Sequence, residues 1–99
     1  MLDKKEISNL VIKSLREVNR ILGKNEQLKI GKNMDIYGGK SRLDSMGLVN
    51  LLVDLEQRLA KEGGIEISIM DAKAFSMKNS PFKNLSTLVD FIHKKGEDL

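Results

Sequence analysis

Asp3-Lys4-Lys5-Glu6-Ile7-Ser8-Asn9-Leu10-Val11-Ile12-Lys13-Ser14-Leu15-Arg16-Glu17-Val18-Asn19-Arg20-Ile21-Leu22 is the stretch that decides the fold class. Ile7, Leu10, Val11, Ser14, Leu15, Val18, Ile21 and Leu22 recur at helical spacing and fall on one face of an amphipathic helix over residues 3–22. Lys4, Lys5, Lys13, Arg16, Glu17 and Arg20 take the other faces. Asp3 followed by Glu6 has the spacing of a capping box, and Gly23 is the expected stop in a left-handed conformation.

Downstream the period is lost. Gly23, Gly31, Gly38 and Gly39 interrupt residues 23–43, a long connection that Leu28, Ile30, Ile36 and Leu43 are expected to pin to the core. A short strand pair within it finds no cross-strand partner in the sequence. The period returns over residues 45–62, where Val49, Leu52, Leu55, Glu56 and Leu59 form a stripe widened by Leu48 and Leu51. Gly63-Gly64 ends that helix, and Ile65 to Ile69 alternates as an extended connector. Residues 69–77 suit a short helix, broken by Lys78-Asn79-Ser80-Pro81. Asn84 or Ser86 then caps a last helix with Leu85, Leu88, Val89 and Ile92 on its buried face, and the tail from Lys94 to Leu99 is expected to fray. The expected fold is all-α: a small four-helix bundle of three longer helices and one short one, with a long loop between the first two.

Composition narrows the function. Ninety-nine residues fit one domain, 1–99, and leave no room for a deep cleft between two lobes. With no cysteine, disulfide frameworks, thiolate metal sites and cysteine nucleophiles are excluded. No metal-ligand spacing is present. Seventeen basic residues against fourteen acidic ones make the chain mildly basic, and the basic residues are interspersed with acids. A nucleic-acid binder using Lys4, Lys5, Lys13, Arg16 and Arg20 would also want aromatic stacking residues, which are few, so no nucleic acid is expected as a partner. No apolar run reaches the ~20 residues of a membrane span. The first six residues are too charged to open a signal peptide, so the expected location is cytoplasmic. His93 stands alone on the last helix, with no acid or serine at a spacing that suggests a dyad, and Met34, Met46, Met70 and Met77 read as adaptable core filler.

One place can carry chemistry. Asp44-Ser45 opens the second helix, where free N–H groups and the helix dipole favour an anion. A phosphate ester on Ser45 would be welcome there, and Asp44 could hold a metal ion or a basic partner. On the dipeptide alone the plainer expectation is that Asp44 or Ser45 is a helix cap and no more.

The run Asp44-Ser45-Met46-Gly47-Leu48-Val49-Asn50-Leu51-Leu52-Val53-Asp54-Leu55-Glu56 resembles the Asp-Ser-Leu motif and following helix of acyl carrier proteins. The resemblance continues in Gly64-Ile65-Glu66-Ile67 and in Phe82 to Ile92, in the family's order. It implies that Ser45 carries a 4'-phosphopantetheine arm, transferred from coenzyme A by a phosphopantetheinyl transferase with magnesium. Acyl groups would ride as thioesters on that arm, for delivery by a non-catalytic monomer to acyl-loading and acyl-transfer enzymes. It also implies docking through the second helix, with Asp44, Asp54 and Glu56 as acidic candidates and Met46 and Val49 as apolar ones. Gly47 and Asn50 stand where carriers of fatty acid synthesis commonly show acids, and the 72–83 segment is longer than usual. These departures point to a specialised lipid, polysaccharide or secondary-metabolite pathway. The competing expectation is a helical protein-interaction adaptor in which Asp44-Ser45 is only a cap.

Overall fold

A computed structural model of the chain describes residues 2–39, 41, 43–70 and 80–97. Among these residues the regular structure is helical: α1 spans Lys4–Ile21, α2 spans Ser45–Lys61 and α3 spans Leu85–Glu97, with one short 3-10 turn at Lys24–Glu26. None of these helices is long and apolar enough to cross a membrane. The short helix expected over 69–77 lies outside the described residues except at its start, where Ile69 and Met70 are not helical.

The start of α1 is the expected capping box. The Asp3 carboxylate accepts the Glu6 N–H at 2.8 Å, and the Glu6 carboxylate accepts the Asp3 N–H at 3.5 Å. Ile7, Leu10, Val11, Ser14, Leu15 and Val18 are buried, as their spacing requires. The end differs. Gly23 is extended at φ −64°, not left-handed, and α1 closes at an extended Leu22. The chain turns back through side chains instead. The Asn19 amide donates to the Leu28 carbonyl at 2.9 Å and accepts the Leu28 N–H at 2.7 Å. That two-point clasp seats Leu28 in the core.

Leu48, Leu51, Leu52, Leu55 and Leu59 form the buried stripe of α2. Val49 and Glu56, expected in that stripe, sit on its shoulders and are half-exposed, because five leucines already fill the arc facing the core. At the end of α2, Gly64 takes the left-handed conformation at φ +68°, and Ile65 N–H closes on the Leu59 carbonyl at 2.9 Å.

α1 is the helix against which both α2 and α3 pack. The same core cluster takes in Ile36, Phe82 and Ile69 from the loops, each fully buried, so the loops help to fill the core. The long loop does find a partner. Ile36 N–H donates to the Lys83 carbonyl at 2.8 Å and Leu85 N–H to the Met34 carbonyl at 3.1 Å, around an antiparallel bridge between Asp35 and Asn84. The cap of α3 is Asn84, whose side chain accepts the Thr87 N–H at 2.9 Å. Phe82 meets Phe91 edge-on at 5.9 Å. Lys94 to Glu97, expected to fray, continue α3: Lys95 reaches the Ser68 carbonyl at 2.9 Å and lies over the Phe91 ring.

Candidate functional site

Asp44 is the cap of α2. Its Oδ1 accepts the Gly47 N–H at 2.8 Å, and its carbonyl accepts the Leu48 N–H at 2.9 Å. Ser45 follows as the first helical residue and is exposed. Leu43, one residue before the cap, is buried, and its N–H donates to Ser41 Oγ at 3.2 Å. An added β-carbon at Gly47 would collide with Leu43 Cδ1, so glycine leaves the space that Leu43 occupies. The sequence reads Gly47 only as a weak helix former. Its place beneath Leu43 gives it a packing role that anchors the helix entry. With Leu43 held inward, Asp44, Ser45 and Met46 face solvent.

Met46 is 68% exposed. Val49, half-exposed, and Val53, exposed, follow on the same side of α2 at helical spacing. Met70, from the extended segment after α2, is also exposed. Val53 and Met70 line a shallow groove of about 490 Å³ together with Ala60 and Ile67. Met34 is core filler as expected, whereas Met46 and Met70 are surface residues and Met77 lies outside the described residues. Val53 was not singled out in the sequence, although its spacing from Met46 and Val49 is the signal that could have found it.

The three acidic candidates have distinct roles. Asp44 is exposed beside Ser45. Asp54 accepts from Arg58 Nε at 2.8 Å, and this hydrogen bond is the main reason the guanidinium binds its proton more tightly than usual. Glu56 turns to the chain that follows, its Oε1 accepting the N–H groups of Ile69 at 2.7 Å and Met70 at 3.2 Å. Glu56 therefore fastens the extended segment to α2, and Asp54 is neutralised locally.

At the far end of α2, Arg58 also meets Glu62 at 3.4 Å, and Glu62 accepts from Lys13 of α1 at 2.8 Å. The Lys13 hydrogen bond, opposed by desolvation and aided by the charges of Lys13 and Arg58, holds the Glu62 carboxyl below its ordinary range. His93, expected to be solitary, has Glu97 one turn on, with Nδ1 3.4 Å from its carboxylate. No group of three or more His, Cys, Asp or Glu among the described residues could hold a metal ion.

An exposed hydroxyl at the first position of a helix, next to a carboxylate and an exposed methionine, can accept a group delivered by another protein. The neighbouring Asp44 carboxylate already accepts the Gly47 N–H. The chain matches no family model, no curated protein and no solved structure.

Proposed function

We propose that this chain is a carrier protein of the acyl carrier type, bearing 4'-phosphopantetheine on Ser45. The single observation that carries the reading is the presentation of Ser45: exposed, first in α2, between Asp44 and the 68%-exposed Met46. The residues present fit the group. A phosphodiester on Ser45 would lie at the positive end of the α2 dipole, where an anion is stabilised. Asp44 stands beside the hydroxyl, where a carboxylate can meet the magnesium or a basic group of the transferase. When attached, the group supplies a flexible arm ending in a thiol, which suits a chain without cysteine. A tether of this kind raises the local concentration of its cargo at a docked enzyme.

Met46, Val49 and Val53 then form the docking stripe, with Asp44 as the exposed acid nearest the arm. Partners are a phosphopantetheinyl transferase and the enzymes that load and remove acyl groups. The chain itself performs no turnover and works as a cytoplasmic monomer, in a specialised lipid, polysaccharide or secondary-metabolite pathway. One observation favours the adaptor reading: Asp44 is already engaged with Gly47, as a plain cap would be.

Labelling separates the two. A fluorescent coenzyme A analogue, magnesium and a broad-specificity transferase are expected to label the wild-type chain and leave Ser45→Ala dark. Equal labelling of both, or of neither while a control carrier is labelled, favours the adaptor.

A further inference from the structure

Away from Ser45, a groove of about 610 Å³ runs between α1 and α3 and is closed at one side by the loop around Ile30 to Asn33. Its floor is apolar: Leu85 and Val89 are buried, and Ile12 and Ile30 are half-exposed above them. Its rim is cationic: among the described residues it carries Lys4, Lys5, Arg16 and Lys32 against a single carboxylate, Asp90. Taking those four cations and one acid from the chain's seventeen and fourteen leaves thirteen of each. The described lining of this groove thus carries a charge of +3, equal to the formal net charge of the chain. Lys4 pairs with Asp90 at 3.0 Å, whereas Lys5, Arg16 and Lys32 are exposed and have no acidic partner among the described residues.

We infer that this groove docks an acidic amphipathic helix of a partner protein. Lys5 and Arg16 stand eleven residues apart on α1, about 16 Å along its axis. A small ligand with one anionic group cannot reach both, whereas a partner helix of about three turns can. Its carboxylates would meet the rim on either side of an apolar stripe that enters the floor, a helix-in-groove mode. A flat anionic lipid surface does not reach a floor recessed beneath its cations. Nucleic acid would find no aromatic platform there among the described residues, since none of those lining rim or floor is aromatic. Of the five α1 cations that could contact phosphate, Lys13 and Arg20 are paired with Glu62 and Glu17 as well as Lys4 with Asp90. This surface does not depend on the modification of Ser45.

The test uses the full chain and a fluorescein-labelled synthetic helix with Leu and Glu at amphipathic spacing, read by anisotropy. Saturable binding is expected, weakened at least tenfold in Lys5→Glu/Arg16→Glu/Lys32→Glu. It should be retained in Lys24→Glu/Lys61→Glu/Lys94→Glu, which changes the net charge equally but elsewhere. A probe with its leucines replaced by serine should bind at least tenfold more weakly. Independently of any variant, NMR shifts on the wild-type chain are expected to centre on Ile12, Ile30 and Val89. Failure of the wild type to bind overturns the inference, as does equal weakening in both triple variants or equal binding of the serine probe. So do shifts centred on Met46 and Val53, or tighter binding of single-stranded DNA or anionic vesicles than of the helix.

Discussion

Leu43 occupies the space that a side chain at Gly47 would need, and this fixes how the second helix begins. Leu43 is buried, so the loop ends in the core, and the cap and first turn that follow are turned outward. The weakest helix former in α2 therefore stands where close packing requires it. In an exposed helix interior, Gly47→Ala would gain about 1 kcal/mol. Here the new methyl must displace Leu43, and overpacking of about 1–3 kcal/mol outweighs that gain. The urea midpoint of Gly47→Ala is expected to fall; a rise would show that Leu43 moves freely.

Ser14 is the opposite case. It is fully buried on the core face of α1, and its hydroxyl has no hydrogen-bond partner among the described residues. Removing an unsatisfied buried polar group relieves its desolvation penalty. Ser14→Ala is expected to stabilise the fold by about 1 kcal/mol in urea unfolding. Destabilisation of that size would mean that the hydroxyl has a partner in solution.

Asn19 and Leu28 make the joint that returns the chain after α1. Asn19→Ala leaves the Leu28 N–H and carbonyl without their partners and is expected to cost about 1–3 kcal/mol. Hydrogen exchange at the Leu28 amide should accelerate by at least tenfold while the centre of α1 stays protected. Unchanged exchange at Leu28 would count against the clasp.

The Lys13–Glu62–Arg58 chain ties α1 to the end of α2 and gives stability a pH dependence. The folded chain holds Glu62 below the ordinary value of 4.5, so its contribution is present above that value. It is lost as the pH falls from there through the folded-state value. In Glu62→Gln this part of the acid-side slope should disappear, and in the wild type it should shrink with added salt. Identical slopes for the two chains below pH 4.5 would exclude the ion pair as its source.

Met46 is exposed and touches little, so Met46→Glu should leave stability within about 0.5 kcal/mol. If the stripe on α2 receives the transferase, the same change slows labelling of Ser45 at least tenfold, as expected for loss of a central apolar anchor. Unaltered labelling kinetics would move the docking surface elsewhere.

The first two long helices were legible because their apolar residues keep one period for several turns and their starts carry a side-chain cap. Asp3 with Glu6, and Asp44, are local signals that the structure uses as written. What was hidden is non-local. The bridge between Asp35 and Asn84 joins stretches far apart in sequence, and the alternation Met34-Asp35-Ile36 is too short to announce its partner. Spacing puts Glu56 in the stripe and its charge makes it a docking candidate; neither reading reveals its partners, the N–H groups of Ile69 and Met70, which lie beyond the helix that carries it. Spacing alone puts Val49 in the stripe while the resemblance makes it a docking candidate, and a stripe crowded with leucines does not say which residues take its edge. Gly23 suits a left-handed stop by residue type, but the Asn19 clasp turns the chain without one. At the candidate site, the residue types were readable at once, whereas the reason they face outward, Leu43 over Gly47, needed the packing.

Intact mass after incubation with coenzyme A, magnesium and a broad-specificity phosphopantetheinyl transferase tests Ser45 most directly. The carrier function predicts a single addition of one phosphopantetheine to the wild-type chain and none to Ser45→Ala. An unchanged mass for the folded wild-type chain, with a control carrier modified in the same reaction, would contradict it and leave Asp44-Ser45 as the cap of an interaction adaptor.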